Sequence, residues 1–165
     1  MTLDFKKAVG AGIAAGLISG LVKMGWENVF PPRTEERDAQ NPPYKTMKML
    51  GLPDSLIHQS YTYSGHKLEW PGFIIHYGFS VSGAIVYELL RRKYPAITKG
   101  HGTLYGLGVW SVFHLGVMPA LKVVPSAKDQ PTEEHLSELV GHVVWMWTND
   151  LVGGKVYDEL TSKDD

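Results

Sequence analysis

The sequence contains no cysteine, so disulfide bonds, thiolate metal sites and cysteine nucleophiles are all excluded. It also has no excess of charge of either sign: 16 basic residues face 17 acidic ones, for a net charge of -1. A nucleic-acid partner is therefore not expected, because such domains carry a strongly basic surface. The mean hydropathy of -0.12 is low for a membrane protein, which makes the distribution of the apolar residues more informative than their average.

Apolar residues are concentrated in four stretches that are long enough, at 1.5 Å per helical residue, to cross a hydrocarbon core about 30 Å thick. The stretches cover about residues 8–30, 70–90, 103–124 and 135–152. The 165 residues are therefore expected to form a single integral membrane domain, 1–165, of the all-α class. Its predicted architecture is a four-helix transmembrane bundle with the lipid bilayer as its partner.

The positions of proline and glycine support these predicted helix ends. Pro31-Pro32 stops the first helix, because proline has no backbone donor to continue it, and Pro71 suits the first turn of the second. Gly153-Gly154 is predicted to end the fourth helix. Between the first two helices lies a long polar loop, 31–69, in which 44–52 has the character of a short surface helix.

Basic residues predict the orientation of the bundle. The short second loop carries Arg91, Arg92, Lys93 and Lys99, and the N-terminus carries Lys6 and Lys7. Because short cytoplasmic loops are enriched in lysine and arginine, both termini are predicted to be cytoplasmic.

The first helix carries three glycines at four-residue spacing, Gly12, Gly16 and Gly20. Small residues on one face allow close helix packing in lipid, so these glycines are interpreted as a packing seam, within the chain or in a homo-oligomer. The same face continues to Lys23 and Glu27. Charged groups inside a membrane helix are costly unless they pair with each other or line a cavity.

Ionisable residues also occur in the other three predicted helices. His76 lies in the second helix, His114 in the third, and Glu138 with His142 in the fourth, four residues apart and so on one face. In the predicted topology they lie at similar depth in the outer half of the bilayer. Together with Lys23 and Glu27 they are predicted to form a proton or ion pathway. Arg33, His66 and Trp70 are predicted to line its mouth.

Four segments of the chain resemble one known family. Residues 16–33 (GLISGLVKMGWENVFPPR), 41–44 (NPPY), 65–80 (GHKLEWPGFIIHYGFS) and 137–147 (SELVGHVVWMW) are similar to YagU-type bacterial inner-membrane proteins, long catalogued as a domain of unknown function. This resemblance implies a location in the bacterial inner membrane and a link to acid resistance. It implies no agreed activity and no catalytic residues.

Three functions are compatible with the sequence. The first is proton or ion handling, since intramembrane Lys, Glu and His chains are typical of proton relays. The second is a transition-metal or haem site built from His76, His114, His142 and Glu138. The third is a structural scaffold in which the polar groups only specify helix pairing. No H-E-x-x-H motif is present, so the sequence favours a protein that is not an enzyme.

Overall fold

The computed structural model describes residues 4–34 and 42–163, and most of these residues are helical. The long helices are α1 (Phe5–Val29), α4 (Trp70–Lys93) and α7 (Thr132–Ser162). The third predicted span is one continuous helical segment, 103–120, made of α5 (Thr103–Trp110), a π-helix (Ser111–Val117) and the short α6 (Met118–Ala120). Single turns of 3-10 helix occupy Pro95–Thr98 and Ala127–Asp129.

Within residues 4–34 and 42–163, two helices, α1 and α4, are by length and composition apolar enough to cross a membrane. Both helices agree with the predicted proline positions: α1 ends at Val29, before Pro31-Pro32, and Pro71 occupies the first turn of α4. Asp4, which the sequence analysis did not select, caps α1 by accepting a hydrogen bond from the backbone N–H of Lys7. Arg91, Arg92 and Lys93 form the last turn of α4. The mostly helical fold is confirmed, whereas the crossing of a membrane by four helices stays a prediction.

Helix α7 is ten residues longer at its C-terminal end than predicted, because Gly153-Gly154 does not end it. Both glycines lie where α4 side chains press against α7. A Cβ atom at position 153 would collide with the carboxylate of Glu88, and one at 154 would lie 3.3 Å from the Arg91 guanidinium. The glycines therefore make room for these side chains. The predicted third helix also ends early, at Ala120, and Lys122 adopts a left-handed conformation with φ 58°.

The connection between α1 and α4 is more structured than the predicted polar loop. It contains α2 (Pro42–Met49), α3 (Asp54–Ile57) and an antiparallel hairpin of β1 (Ser60–Tyr63) and β2 (His66–Glu69). The predicted surface helix over 44–52 corresponds to α2, although Met47 within it is buried. Loop residues 35–41, including the first residue of the NPPY segment, lie outside the described residues.

The hairpin is a departure from the predicted all-α fold. Its turn, Ser64-Gly65, has φ values of 51° and 79°, the left-handed conformations that a two-residue hairpin turn requires. The strand residues are almost all exposed, so no alternation of buried and exposed side chains marks them. The only sequence pattern that indicated this hairpin was the Ser64-Gly65 pair, which is preceded by tyrosine and threonine residues of high strand propensity.

The three seam glycines of α1 all face α4 of the same chain. A Cβ at Gly16 would lie 2.5 Å from Cα of Val81, and one at Gly12 would lie 2.6 Å from Cα of Ile85. The two backbones thus approach more closely than any side chain would permit. The structure therefore places the glycine seam inside the chain.

Both polar and apolar side chains are buried inside the bundle, where Trp145 and Met146 belong to an apolar core. Ser19, Glu88, Asn149 and other polar residues are buried between the helices. Large apolar side chains cover the outside of all four long segments, among them Leu21 (62% exposed), Ile74 (60%), Val112 (58%) and Leu151 (59%). This arrangement explains how the chain combines long apolar stretches with a low mean hydropathy.

Candidate functional site: a buried ionic cluster around a cavity

Glu138 of α7 is the centre of the site. Its side chain is 4% exposed and contacts basic groups from three other parts of the chain. Arg33 Nη2 donates to Oε1 at 2.9 Å, and Lys23 Nζ lies 3.4 Å from Oε2. Nε2 of His114 lies 3.5 Å from the same Oε2. A single carboxylate thus joins α1, the segment after it, the π-helix and α7.

Two further carboxylates complete the ion-pair network. Lys23 also pairs with Glu27, one turn along α1, whose side chain is 27% exposed. Arg33 Nε lies 3.1 Å from Oε1 of Glu134, one turn before Glu138 on α7. Burying charges is costly unless each finds a partner, and the two cations are each bridged between two carboxylates.

Two of the three histidines are oriented by backbone carbonyl groups. His142 Nδ1 donates to the carbonyl oxygen of Glu138 at 2.7 Å, and His76 Nε2 donates to that of Gly20 at 3.1 Å. A carbonyl oxygen can only accept, so the neutral rings keep a lone pair on Nε2 of His142 and on Nδ1 of His76. The rings of His114 and His142 meet edge to face, with centroids 5.0 Å apart.

These side chains surround one cavity of about 660 Å³. All six residues of the predicted pathway line it: Lys23, Glu27, His76, His114, Glu138 and His142. Arg33 and α2 also contribute to its walls. The sequence analysis thus selected residues that the fold brings together.

The predicted mouth is only partly supported by the geometry. Arg33 lines the cavity, but its side chain is 9% exposed and belongs to the ion-pair network. His66 lies in the exposed hairpin and Trp70 at the start of α4, and neither is among the residues that line the cavity. Their closeness in sequence to the second helix thus did not place them in the cavity wall, although Glu69 of the same hairpin does line it.

Glu69, at the end of β2, does line the cavity. Hydrogen bonds from Lys67 and from His58 lower the pKa of its carboxyl group to about 2. The carboxylate therefore stays ionised across the acidic range, and it ties the hairpin to α3.

A second buried network, at the opposite end of the bundle, was missed. Arg91 Nη1 lies 3.0 Å from Oε1 of Glu88, and its Nη2 lies 3.2 Å from Oδ1 of Asp150 on α7. Tyr87 donates to the same Oδ1 at 2.6 Å. The spacing of Glu88 and Arg91, three apart in a helix, was a signal for a pair, but the partner on α7 was not predictable from it.

Donor atoms of His114, Glu138 and His142 lie within 4.8 Å of one another, and all three residues are buried. One carboxylate and two imidazoles are ligands that Zn²⁺ and similar ions accept. His142 already donates its Nδ1 proton to a carbonyl, as metal-bound histidines commonly do. His76 is not part of this group. The direct contact between the His114 and His142 rings leaves no gap for a haem plane between them.

These features describe a helical protein with an apolar outer surface and a charged, histidine-containing interior. Residues 17–151 match the family model described as "Protein of unknown function (DUF1440)", and the chain belongs to that family. It is 29% identical over 177 aligned residues to "Inner membrane protein YagU" of Escherichia coli strain K12, an alignment that covers 93% of this chain and 86% of that protein. The YagU-type resemblance is thereby confirmed. No solved structure matches the chain.

Proposed function

We propose that the chain is a multi-pass protein of the bacterial inner membrane, with both termini cytoplasmic, that handles protons or ions through the cluster around Glu138. The membrane placement is supported by the relative, which is named an inner membrane protein, and by the apolar exterior of the helices. In this topology α1, α4, 103–120 and α7 cross the bilayer. The cluster lies in its outer half and the Glu88–Arg91–Asp150 network in its inner half.

The observation that carries the proposal is the convergence of ionisable groups from every long helical segment on one cavity. Charged groups in lipid are costly, and they are retained where they serve a pathway or a site. Glu27 is a partly exposed member of the cluster, with 27% of its side chain accessible, and Lys23 connects it to Glu138. From Glu138 the contacts continue to His114 and His142, which makes a sequence of proton donors and acceptors from the rim inward.

Histidine suits this role because its charge changes between about pH 5 and pH 8. An acidic exterior would then protonate the cluster from the outer side and change its ion pairing. This provides a physical route to acid tolerance, either as proton flux or as an ion flux gated by pH.

Flux measurements in proteoliposomes test the proposal. The purified protein is reconstituted with a pH-sensitive dye trapped inside, and the external pH is lowered. A His76→Ala/His142→Ala double variant is expected to reduce flux to that of empty liposomes. The matched control is His101→Ala/His135→Ala, which removes two histidines that do not line the cavity. Unchanged flux in the first variant contradicts the proposal.

A metal site is the second candidate, favoured by the three converging donors of His114, Glu138 and His142. Elemental analysis and a visible absorption spectrum of protein purified without chelators distinguish it from the first. Stoichiometric zinc or another transition metal, lost in a His114→Ala variant, supports this candidate. A colourless and metal-free sample removes it, and a haem is excluded by the same spectrum.

The remaining alternative is a scaffold, in which the paired charges only fix how the helices pack. It predicts that cluster variants lower thermal stability while flux is absent in every variant and in the wild type. A homo-oligomer is compatible with all three functions.

A further inference from the structure

The exposed residues that line the cavity are mainly apolar. They include four large apolar side chains, Met49 (50%), Phe79 (37%), Val117 (38%) and Leu121 (50%), beside Asn28 and Pro31. Phe79 lies on α4, whereas Val117 and Leu121 lie at the end of the third helical segment. An opening between these two elements would face hydrocarbon rather than water if the helices cross a bilayer.

The interior of the cavity has two chemically different parts. Phe73, Phe113, Met118 and Trp145 contribute apolar wall, and the ionic cluster with its histidines contributes a polar end. A volume of about 660 Å³ is in the range of cavities that hold small molecules, which are usually apolar with a few polar groups. Such a division suits a ligand that is itself amphipathic.

The polar end favours a head group that donates hydrogen bonds. Lys23 and Arg33 are already paired with carboxylates, so neither is a ready partner for an anion. Within the ionic cluster itself, the two basic side chains of Lys23 and Arg33 face three carboxylates, those of Glu27, Glu134 and Glu138. The lone pairs of His76 and His142 are acceptors as well. An amine or hydroxyl head satisfies these groups, whereas a phosphate would add charge to an end that is already negative.

We infer that this cavity binds a membrane-soluble amphiphile, with a hydrogen-bond-donating head at the ionic cluster and a hydrocarbon chain that leaves between α4 and the π-helix. The inference rests on the membrane placement proposed above, and it adds a ligand class to the site. The ligand enters sideways from the lipid, past Phe79 and Val117.

Trp145 provides the readout, because it lines the cavity while only 1% of its surface is exposed. The full chain is reconstituted in phosphatidylcholine vesicles with rising fractions of a long-chain amine whose chain carries bromine, a quencher of tryptophan fluorescence. The Trp145 signal is the difference between wild type and Trp145→Phe. We expect saturable quenching of this signal, at an amine fraction about tenfold lower than for the matching brominated alkyl phosphate, as one charge-assisted hydrogen bond would produce.

Rim variants test the route of entry. Val117→Phe narrows the opening and is expected to reduce the quenching of tryptophan fluorescence by the brominated amine severalfold. Val112→Phe, on the outer surface of the same π-helix and 58% exposed, is the matched control and should leave it unchanged. Both variants keep all five tryptophans, so their total tryptophan quenching can be compared with that of the wild type even if Trp145→Phe does not fold. The inference is overturned if the quenching does not saturate or is equal for the amine and the phosphate. It is also overturned if Val117→Phe and Val112→Phe change the quenching equally.

Trp147 separates failure of this inference from failure of the membrane placement. It is 49% exposed on the outside of α7, so phosphatidylcholine brominated near its headgroup should quench it in the same vesicles. Quenching of Trp147 without saturable quenching of Trp145 refutes the cavity ligand alone. Loss of both signals refutes the membrane placement as well.

Discussion

Replacing Gly16 by alanine should separate α1 from α4 and destabilise the protein. A Cβ at this position would lie 2.5 Å from Cα of Val81, 3.0 Å from its backbone nitrogen and 3.1 Å from the carbonyl oxygen of Ser80. All three neighbours are backbone atoms of a helix, so no side chain can rotate away. To reach ordinary contact, the two helices must move apart over the length of their seam.

The magnitude follows from two opposing contributions. Alanine is the better helix former by roughly 0.5–1 kcal/mol, which favours the variant. Overpacking typically costs about 1–3 kcal/mol, and a backbone collision belongs at the upper end of that range. Separation also stretches the hydrogen bond from Ser80 Oγ to the Gly16 carbonyl, now 2.8 Å. The net result should be a loss of about 2 kcal/mol in the free energy of unfolding.

Gly25, on the same helix, is the matched control. Apart from the adjoining backbone of α1 itself, no atom of the described residues lies within 4 Å of a Cβ built there. Gly25→Ala should therefore gain up to about 1 kcal/mol through helix propensity alone. Unfolding of both variants by increasing dodecyl sulfate in mixed micelles measures the difference. If Gly16→Ala is as stable as Gly25→Ala, the close backbone approach on which the packing of α1 depends is refuted.

Three further outcomes can be checked with the same preparations. Glu138→Gln removes the buried carboxylate between Lys23 and Arg33, whose side chains are only 13% and 9% exposed, and should cost about 3–5 kcal/mol. Glu133→Gln, exposed on the same helix, should change stability by less than about 0.5 kcal/mol, and equal effects would argue against a buried network. Ser80→Ala leaves the indole N–H of Trp145 without its 2.8 Å acceptor and should cost about 1–3 kcal/mol with a shift in tryptophan emission, and an unchanged spectrum would contradict this contact. The pKa of Glu69 in the folded protein is about 2, below its usual value of 4.5. Its contribution to stability is therefore present above about pH 4.5 and is lost as the pH falls towards 2. Glu69→Gln should remove this part of the pH dependence, and an NMR titration midpoint near 4.5 for the wild-type carboxyl group would refute the shift.

Features with local causes were predictable from the sequence. Pro31 and Pro71 bound the first two long helices because proline limits which backbone positions can be helical, whatever the rest of the chain does. The choice of the six cluster residues was also possible, since an ionisable side chain within an apolar helix needs a partner or a cavity. The same reasoning found the glycine face of α1, although it left open whether the seam lies within one chain.

Other features depended on neighbours distant in sequence. Gly153 resembles a helix terminator, yet α7 continues through it because Glu88 of α4 occupies the space of its side chain. Arg33 resembled a residue of the mouth, but contacts with Glu134 and Glu138 bury it. The hairpin carries exposed residues on both strands, so it had no hydrophobic periodicity from which to be predicted.

The sequence by itself determined which segments are helical and which ionisable groups lie inside them, because backbone conformation and the cost of burying charge follow from the local residues. Only the tertiary structure decided that these groups meet at Glu138, since that carboxylate binds partners 105 and 115 residues away in the chain. It also decided that the cavity opens between apolar side chains, because the rim is assembled from α2, α4 and the end of the third helical segment, which no single stretch of sequence contains.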